Sequence, residues 1–532
     1  MNLIGNINAI PFRRFRGGGG VAPFPSIPGM IARYSALGLT NEEMSKNPVW
    51  VDKTGNGHDL QMKNFAWKGM SGVGGYGDEN YQTFYKFTLD DYVFIASPPG
   101  VKHMNFTFRV TGLQPGNKLT LAFFGTTNTV YGTWDKDGIY TVDADIVEAG
   151  KPTYFYNGYG ATRGEFTIEI LPLYPGALVF DGVDDYGVCN NFPILTKEKG
   201  YTVVALRQWI EEKNDSTALV SNCKNWSQNG AFLFEYDNLR INFLNVAISF
   251  GHVSSVDRGK SPFSYQTSKL YNGKNIKPGS LIGSNELIVG KGNKDFSTFS
   301  KAAIWELVFL DHDATEEELT KIKDYFVKTY PWLFPDQAWT VVGKTNEDED
   351  RATIANITGN GNDLVLSNFG FAEGSGYNEE GEYAGYLVTD GVDDKIVSSV
   401  FGMGKDFTIV GDWKFIDNKK SGTGLVKGSS FYIYNTMIGL DLYINSGSVK
   451  NSLDGIKSIN AACSDGRAYD RNWNEILANT GNVVGSGGTL EVSSSGGRFD
   501  RIAFKNLAIY PRILSKDDYI KAYNYLQTLK AK

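Results

Sequence analysis

Residues Leu178–Val188 read LVFDGVDDYGV, and Tyr386–Val397 read YLVTDGVDDKIV. In each stretch apolar residues alternate up to Asp-Gly, and the alternation resumes after Asp-Asp. A period of two is the mark of a strand with one buried face. Asp-Gly is a favoured pair for a two-residue hairpin turn, because glycine takes a positive φ at no steric cost. Each stretch therefore predicts strand, tight turn, strand, with Leu178 and Phe180 facing a core in the first copy.

The duplication extends outward from the turns. Thr54–Leu60 (TGNGHDL) recurs as Thr358–Leu364 (TGNGNDL), and the same step of 304 carries Asn64-Phe65 onto Asn368-Phe369. Gly38–Glu43 (GLTNEE) matches Gly343–Asp348 (GKTNED), and Ala303–Leu319 matches Ala503–Tyr519. The two Asp-Gly turns stand 209 apart, so the first copy holds 95 more residues between loop and turn (304 − 209). Such self-similarity marks two copies of one domain, with a segment inserted into the first. The boundaries read as an arm over 1–30, a first copy over 31–84 and 174–335, an insert over 85–173, and a second copy over 336–532.

Composition agrees with this division. A chain of 532 residues has a soft prior of three or four domains. Its 41% hydrophobic and 21% charged residues suit ordinary domains with full cores. Sixty-one glycines and 14% aromatics favour turn-rich β structure. A net charge of −7 argues against a nucleic-acid partner. No run approaches the length of a membrane-spanning helix, so no membrane is expected. Cys189, Cys223 and Cys463 show neither disulfide nor zinc spacing and read as free thiols. The opening MNLIGNINAIPFRRFR lacks the order of a secretion signal.

That opening reads as an arm. Ile4, Ile7 and Ile10 supply apolar positions, and Phe12, Arg13, Arg14, Phe15 and Arg16 follow as a basic, aromatic run. Gly17–Gly20 would act as a swivel, and Pro23, Pro25 and Pro28 stiffen the path beyond it. Such an arm cannot bury its own apolar residues. It reads either as a tail without fixed structure or as a docking peptide that folds onto a partner.

After the arm, Thr40–Glu43 has the form of a capping box and predicts a short helical turn. The insert, from about Tyr85 to Leu173, predicts six strands and a small β-sandwich of its own. Beyond the first turn the pattern is again strands, ending in Ala302–Leu310. Thr315–Glu318 opens a helix that runs to Tyr330, where Pro331 stops it. The second copy closes alike, with a strand over Arg501–Tyr510, Ser515 as helix cap, and a helix to Lys530.

The order of these features carries a resemblance. A TGNG loop precedes a DGVDD turn between strands, an FTIV-type strand follows (Tyr201–Val204, Phe407–Val410), and a last strand leads into a short helix. This resembles the laminin-G-like, or concanavalin-A-like, jelly-roll module, over both copies. The resemblance implies an all-β protein of two jelly-roll β-sandwiches in tandem, the first carrying the inserted sandwich, each ending in a short helix, behind an extended arm. The family includes glycan-binding modules, adhesion modules and some glycosidases, so the fold does not choose among them.

Glycosidases of this fold use the pattern E-x-D-x-x-E, which sets paired carboxylates on one strand face. Asp143-Ala-Asp145-Ile-Val-Glu148 opens on Asp and lies in the insert, and Glu235-Tyr-Asp237 lacks the last acid. Both are expected on solvated strand faces. His58, His103, His252 and His312 are scattered. Gly343-Lys344-Thr345 resembles the end of a phosphate-binding loop, but Ala338 stands where its first glycine belongs. No catalytic residue is assigned, and the expectation is that the chain is not an enzyme.

Binding is the remaining class. Asp181, Asp184 and Asp185, with Asp390, Asp393 and Asp394, cluster acids on tight turns. Hard oxygen ligands at this spacing suit Ca²⁺, which many modules of the resembled family bind. The same residues equally suit turn caps that bond their own backbone. No other cofactor is expected. Trp226 between Asn225 and Asn229 fits a glycan platform with polar neighbours, and Tyr159 and Trp473 are further candidate aromatics.

Modules of extracellular type, without secretion signal or disulfides, suit a protein assembled in a cytoplasm and released by lysis. The expected function is a non-enzymatic structural protein of a tailed-phage virion, a head, collar or tail fibre or appendage. It resembles such proteins by architecture. The arm would anchor it to other virion proteins, and the jelly rolls would meet host glycans or proteins, in a homo-oligomer that is extracellular after release. The alternative is a secreted or surface bacterial glycan-binding or adhesion protein.

Overall fold

The computed structural model describes residues 23–76, 84–87, 92–96, 103–123, 129–145, 152–157, 166–195, 199–211, 217–223, 230–235, 261–275, 284–292, 297–381, 383–402, 404–417, 423–427, 431–435, 439–444, 452–454, 460–470, 473, 475–477, 487–492, 494–495 and 498–531. The fold is mostly β, in several antiparallel sheets, with few helices. No helix among the described residues is long and apolar enough to cross a membrane.

Each copy is built around one pair of ten-residue strands. In the first, Thr202–Glu211 pairs with Lys301–Leu310, from Thr202 opposite Leu310 to Glu211 opposite Lys301. In the second, Thr408–Asp417 pairs with Arg501–Tyr510. Both pairs carry two irregularities at matched places, Leu206/Arg207 and Trp209/Glu211 against Asp412/Trp413 and Phe415/Asp417. The other edge of the later strand in each pair is completed by two short strands in series. Met30–Ser35 and Leu178–Asp181 serve Lys301–Leu310. Gln337–Thr340 and Tyr386–Val388 serve Arg501–Tyr510.

A second sheet in each copy shares a core with the first. Leu60–Lys63, Tyr186–Cys189, Val220–Cys223 and Leu287–Val289 belong to that sheet in the first copy. Their buried Leu60, Met62, Cys189, Val220, Leu287 and Val289 join Leu178, Phe180, Val203, Ala205, Ile304 and Phe309 of the long-strand sheet in one apolar cluster. Leu178 and Phe180 thus face a core, as the alternation predicts.

The expected hairpin is corrected. Leu178–Asp181 and Tyr186–Cys189 belong to different sheets, as do Tyr386–Val388 and Lys395–Ser398. The DGVDD turn therefore carries the chain from one sheet to the other. Its glycines are left-handed, Gly182 at φ 78° and Gly391 at φ 74°, as the Asp-Gly pair implies. A Cβ on Gly182 would stand 2.7 Å from Lys301 Cβ, so both space and conformation require glycine. Alternation could not reveal the sheet switch, because a strand has the same period of two whichever neighbour it pairs with.

Three helices form where their caps predict. Helix α1 (Asn41–Lys46) starts at Thr40, whose hydroxyl accepts from Glu43 N. Helix α2 (Glu316–Thr329) starts at Thr315 with both bonds of the capping box to Glu318, and Pro331 follows its end. Helix α3 (Lys516–Gln527) starts at Ser515, and stops three residues short of the expected Lys530. In the second copy Thr345 and Asp348 bond each other in a turn and no helix follows.

Helices α2 and α3 weld the copies together. Ile322, Phe326 and Tyr330 at the α2 end, and Tyr519, Tyr523 and Leu526 of α3, lie in one buried cluster with Trp305 and Val308 of the first copy and Val410 and Ala508 of the second. Each large apolar side chain buried this way contributes about 1.5–3 kcal/mol. Tyr510 OH donates to the Trp332 carbonyl at 2.9 Å, and Arg512 Nη1 to that of Val327 at 3.1 Å.

The segment from Phe84 to Ile170 forms two four-stranded sheets around its own aromatic core, including Phe106, Phe108, Phe155 and Phe166. Among the described residues eight strands stand where about six were expected. The stretch read as one strand from Tyr85 is two, Phe84–Phe87 and Tyr92–Ala96, and Thr129–Trp134 was not foreseen. Ile139 of this segment also reaches the cluster around α2 and α3.

Candidate functional site

The two DGVDD turns are locked by the same set of bonds. Asp181 Oδ1 accepts from Val183 N at 2.7 Å and Asp184 N at 3.4 Å. Asp185 is fully buried and accepts from Asp181 N and from the Ser71 hydroxyl, each at 3.0 Å. Asn64 Nδ2 donates to the Asp184 carbonyl at 3.0 Å. In the second copy Asp390 accepts from Val392 N at 2.7 Å, and Asp394 from Asp390 N at 2.7 Å and the Ser375 hydroxyl at 3.1 Å. Asn368 Nδ2 reaches the Asp393 carbonyl at 2.9 Å. Sequence reasoning missed Ser71, Ser375, Asn64 and Asn368 as turn partners. Their matched positions in the two copies are the signal that could have found them.

Electrostatics sets the buried acid of each turn apart. Burial, with Asp181 and Asp184 beside it, pushes Asp185 up to about 7. Burial likewise pushes Asp394 up to about 6, against the hydrogen bonds it accepts from Asp390 N and Ser375. The three carboxylates of each turn come within 4.8 Å of one another, close enough to share a cation. Calcium, however, takes six to eight oxygens. Protein donors already point at both oxygens of Asp185 and at one of Asp181, half of that turn's carboxylate oxygens. The donor set fits a capped turn, and a hard cation would have to displace those hydrogens.

The TGNG loop is pinned to the strand before it. Asn56 Nδ2 donates to the Ile31 carbonyl at 2.8 Å, and Asn360 Nδ2 to that of Asp336 at 2.7 Å. Beside this loop the first copy has a cleft of about 270 Å³. Ile31, Ile194 and Leu195 give it an apolar wall, and Asn56, His58, Lys199 and Asp311 are its polar lining. His58 Nδ1 is buried and has no hydrogen-bond partner, while the ring meets Phe192 edge-on with centroids 5.8 Å apart. The matching Asn362 is engaged on both sides: its Nδ2 donates to Gln337 Oε1 at 3.3 Å, and its Oδ1 accepts from Ser399 at 2.8 Å. Sequence reasoning did not find this cleft. The His-for-Asn difference between the two TGNG loops was its one trace.

Glu235 is not on a solvated face. It is 2% exposed, at φ 55°, and grips the equally buried Arg207 with Nε to Oε2 at 2.8 Å and Nη2 to Oε1 at 2.5 Å. Trp209 Nε1, Ser264 Oγ and Tyr271 OH also donate to it, at 2.7, 2.6 and 3.0 Å. Burial alone would raise its carboxyl, but the Arg207 guanidinium holds it below the usual carboxylate range. Asp237 and Glu148 lie outside the described residues, and Asp143 and Asp145 sit on the Gly138–Asp145 strand.

Of the aromatic candidates, Trp473 is corrected: it is 3% exposed and packs edge-on against Tyr523 of α3, ring centroids 5.4 Å apart. It is part of the core between the copies and not a sugar platform. Trp226, Asn225, Asn229 and Tyr159 lie outside the described residues, as do Ile4, Ile7, Ile10, Phe12, Arg13, Arg14, Phe15 and Arg16 of the arm. Cys189 and Cys463 are buried free thiols.

No family model matches the chain, and no curated protein is similar to it. Among solved structures, a mutant of Trypanosoma rangeli sialidase displaying trans-sialidase activity aligns at 10% identity and a TM-score of 0.28, over 50% of this chain and 49% of its own. Trypanosoma rangeli sialidase in complex with sialic acid aligns at 10% identity and 0.27, over 73% and 68%. The binding domain of botulinum neurotoxin serotype D aligns at 11% and 0.22, over 65% and 89%. The chain spans about half the length of the first of these sialidases. The expectation that the chain is not an enzyme is corrected here, since enzymes are among the structures that align with it. The physical reason is that a search for paired carboxylates tests one chemistry, and glycosidases with a tyrosine nucleophile do not carry that pattern. At these TM-scores the likeness assigns no reaction, substrate or site to this chain.

Proposed function

We propose that this chain is a surface-attachment protein of a tailed-phage virion, in which two jelly-roll modules form one head behind an anchoring N-terminal arm. The single observation that carries the reading is the weld. The two copies share a buried core through α2 and α3, so they act as one body and not as beads on a linker. A body of that kind suits a part that transmits a grip between a particle and a cell surface.

Three further features support it. The arm joins basic and aromatic residues to a glycine tetrad, a composition suited to docking on a neighbouring virion protein in a homo-oligomeric assembly. The thiols of Cys189 and Cys463 are free, as a cytoplasmic assembly route requires. The cleft beside His58 offers a place for a ligand such as a host glycan.

Deleting Met1–Gly20 tests the anchor. The shortened protein keeps its unfolding midpoint but is no longer incorporated into assembled particles. Unchanged incorporation would remove the arm from the reading, and a chain that joins no particle would remove the virion.

A further inference from the structure

The root of the arm is fastened along helix α2. Phe24 meets the Tyr325 ring edge-on, centroids 4.8 Å apart, and lies under the Arg33 guanidinium at 4.2 Å. Ile27 is buried in the cluster that the two copies share. Two residues on, the Gly29 carbonyl accepts from Asp311 N at 2.9 Å. A Cβ on Gly29, whose φ is 67°, would overlap Asp311 Oδ1 and stand 2.8 Å from His312 Nδ1. The backbone of the arm root therefore lies against these two side chains, just before α2 begins.

His312 stands between two carboxylates. Its Nδ1 is 3.2 Å from Asp311 Oδ1, and its Nε2 is 3.3 Å from both oxygens of Glu318. An ionised carboxylate only accepts, and a neutral imidazole has one N–H to give, so only the imidazolium donates on both sides. Burial by itself would lower the titration of this ring, but the hydrogen bonds and charges of Asp311 and Glu318 raise it above the ordinary histidine range. Glu318 has other donors, since Thr315 N and Oγ1 both reach its Oε2 at 2.9 Å. Among the described residues the ring is the one hydrogen-bond partner of the Asp311 carboxylate, so loss of the proton falls on that side.

The surrounding charges are otherwise engaged or turned outward. Asp313 of the same loop bonds Ser268 and pairs with Lys269 at 2.9 Å. On α2, Glu317 pairs with Lys321 at 2.6 Å and Glu316 is exposed. Lys199 lines the cleft that Asp311 also lines, and Pro23–Gly29 of the arm root carries no titratable side chain.

The second copy supplies the contrast. The step of 200 that carries Ala303 to Ala503 carries His312 to Arg512, Thr315 to Ser515 and Glu318 to Asp518, but Asp311 to Pro511. Arg512 stays charged and donates to the Val327 carbonyl. The first copy, which bears the arm, has instead a titratable ring with a carboxylate on each side. We propose that His312 is a pH-sensitive latch on the arm root: as the imidazolium it ties Asp311 to Glu318 across the start of α2, and on losing its proton it frees Asp311 and loosens the Gly29 backbone beside it. A group held above its unfolded range adds stability that is full below about pH 6.5 and is lost as pH rises through the folded value.

The experiment is a ring-proton NMR titration of the full chain, in which the His312 signal, one of four histidines, is identified by its loss in His312→Arg or His312→Gln. Its midpoint lies above the ordinary value of about 6.5. Asp311 is half-exposed, so Asp311→Asn folds, and it lowers that midpoint by about half a pH unit or more. Hydrogen exchange of the Asp311 amide, corrected for its intrinsic rate, is read by mass spectrometry at about pH 6 and about pH 8. The amide is less protected at the higher pH in the parent, and His312→Arg, charged at both, removes the difference. A midpoint at or below the ordinary value, one that Asp311→Asn leaves in place, equal exchange in the parent at both pH values, or a difference that persists in His312→Arg would each overturn the inference. Should His312→Arg not fold, the Asp311→Asn titration decides. The latch rests on the attachment reading only for what the arm is used for. Incorporation that ignores the arm removes that reading and leaves the latch, and a failed titration removes the latch alone.

Discussion

Gln208 of the first copy and Thr528 of the second, 320 residues apart in the chain, hydrogen-bond Nε2 to Oγ1 at 3.0 Å. Gln208 Nε2 also reaches the Thr528 carbonyl at 3.2 Å, and Asn524 Nδ2 donates to the Pro172 carbonyl at 3.1 Å. The end of α3 is thus bonded to the first copy as well as packed on it. Leu526→Ala tests the consequence. Leu526 is fully buried in the shared cluster, so truncation costs about 2–5 kcal/mol. Both copies lose stability together, in one urea transition seen alike by tryptophan fluorescence and circular dichroism. Two transitions, with only one moved, would refute the weld.

The Arg207–Glu235 pair gives a second prediction. Glu235→Gln removes one charge and leaves the Arg207 guanidinium buried among neutral partners. The expected loss is about 3–5 kcal/mol. Adding Arg207→Met removes the stranded charge and recovers part of it. The urea midpoints of parent, single and double variants decide the matter, and a double variant no better than the single one counts against the pairing.

The turn acids predict a pH dependence with a definite sign. An ordinary Asp titrates near 3.9, whereas Asp185 is pushed up to about 7 and Asp394 to about 6. The folded state holds these protons more tightly than the unfolded state. Their contribution to stability is therefore greatest below about pH 4, falls as pH rises to about 7, and is level beyond. Asp185→Asn keeps the bonds in kind: its amide oxygen takes the place of Asp185 Oδ2 and accepts Asp181 N–H, and its amide nitrogen takes the place of Oδ1 and donates to Ser71 Oγ, as the protonated acid would. The variant has a shallower fall in urea midpoint across that window. An unchanged slope would show that Asp185 is not the group responsible.

Calcium gives the fourth test. Since protein hydrogens already face half of the carboxylate oxygens of the first turn, added CaCl₂ or EDTA leaves the melting temperature at pH 7 unchanged. A calcium-dependent rise that Asp181→Asn and Asp390→Asn together abolish would restore the turns as cation sites.

Features closed within a few residues were legible in the sequence. The caps of Thr40, Thr315 and Ser515 bond an amide three residues on, and their residue types pointed to these three helix starts. The left-handed Gly182 and Gly391 follow from Asp-Gly, and the buried Leu178 and Phe180 from alternation. The duplication was legible because it needs no geometry at all. Where an element ends was less so. Helix α3 stops at Gln527, where Thr528 turns its hydroxyl back to the Tyr525 carbonyl and meets Gln208 of the first copy, a distant contact that propensity does not register.

Tertiary structure decided everything that depends on which distant segment arrives. Trp473 looks like an exposed aromatic until α3 brings Tyr523 against it. Glu235 looks like a strand-face acid until Arg207, 28 residues earlier, is found gripping it. The cleft gathers Asn56, His58, Lys199 and Asp311 from separate parts of the chain, so no local pattern announces it. The sequence by itself determined the repeated motifs, the left-handed glycines of the two turns and the caps of three helices, because backbone conformation and nearest-neighbour bonds are local. Which sheet each strand joined, how two copies became one core, and which polar groups were left facing a cleft were settled by packing. Burial is a property of the assembled chain, and apolar residues of equal period can be buried against many partners.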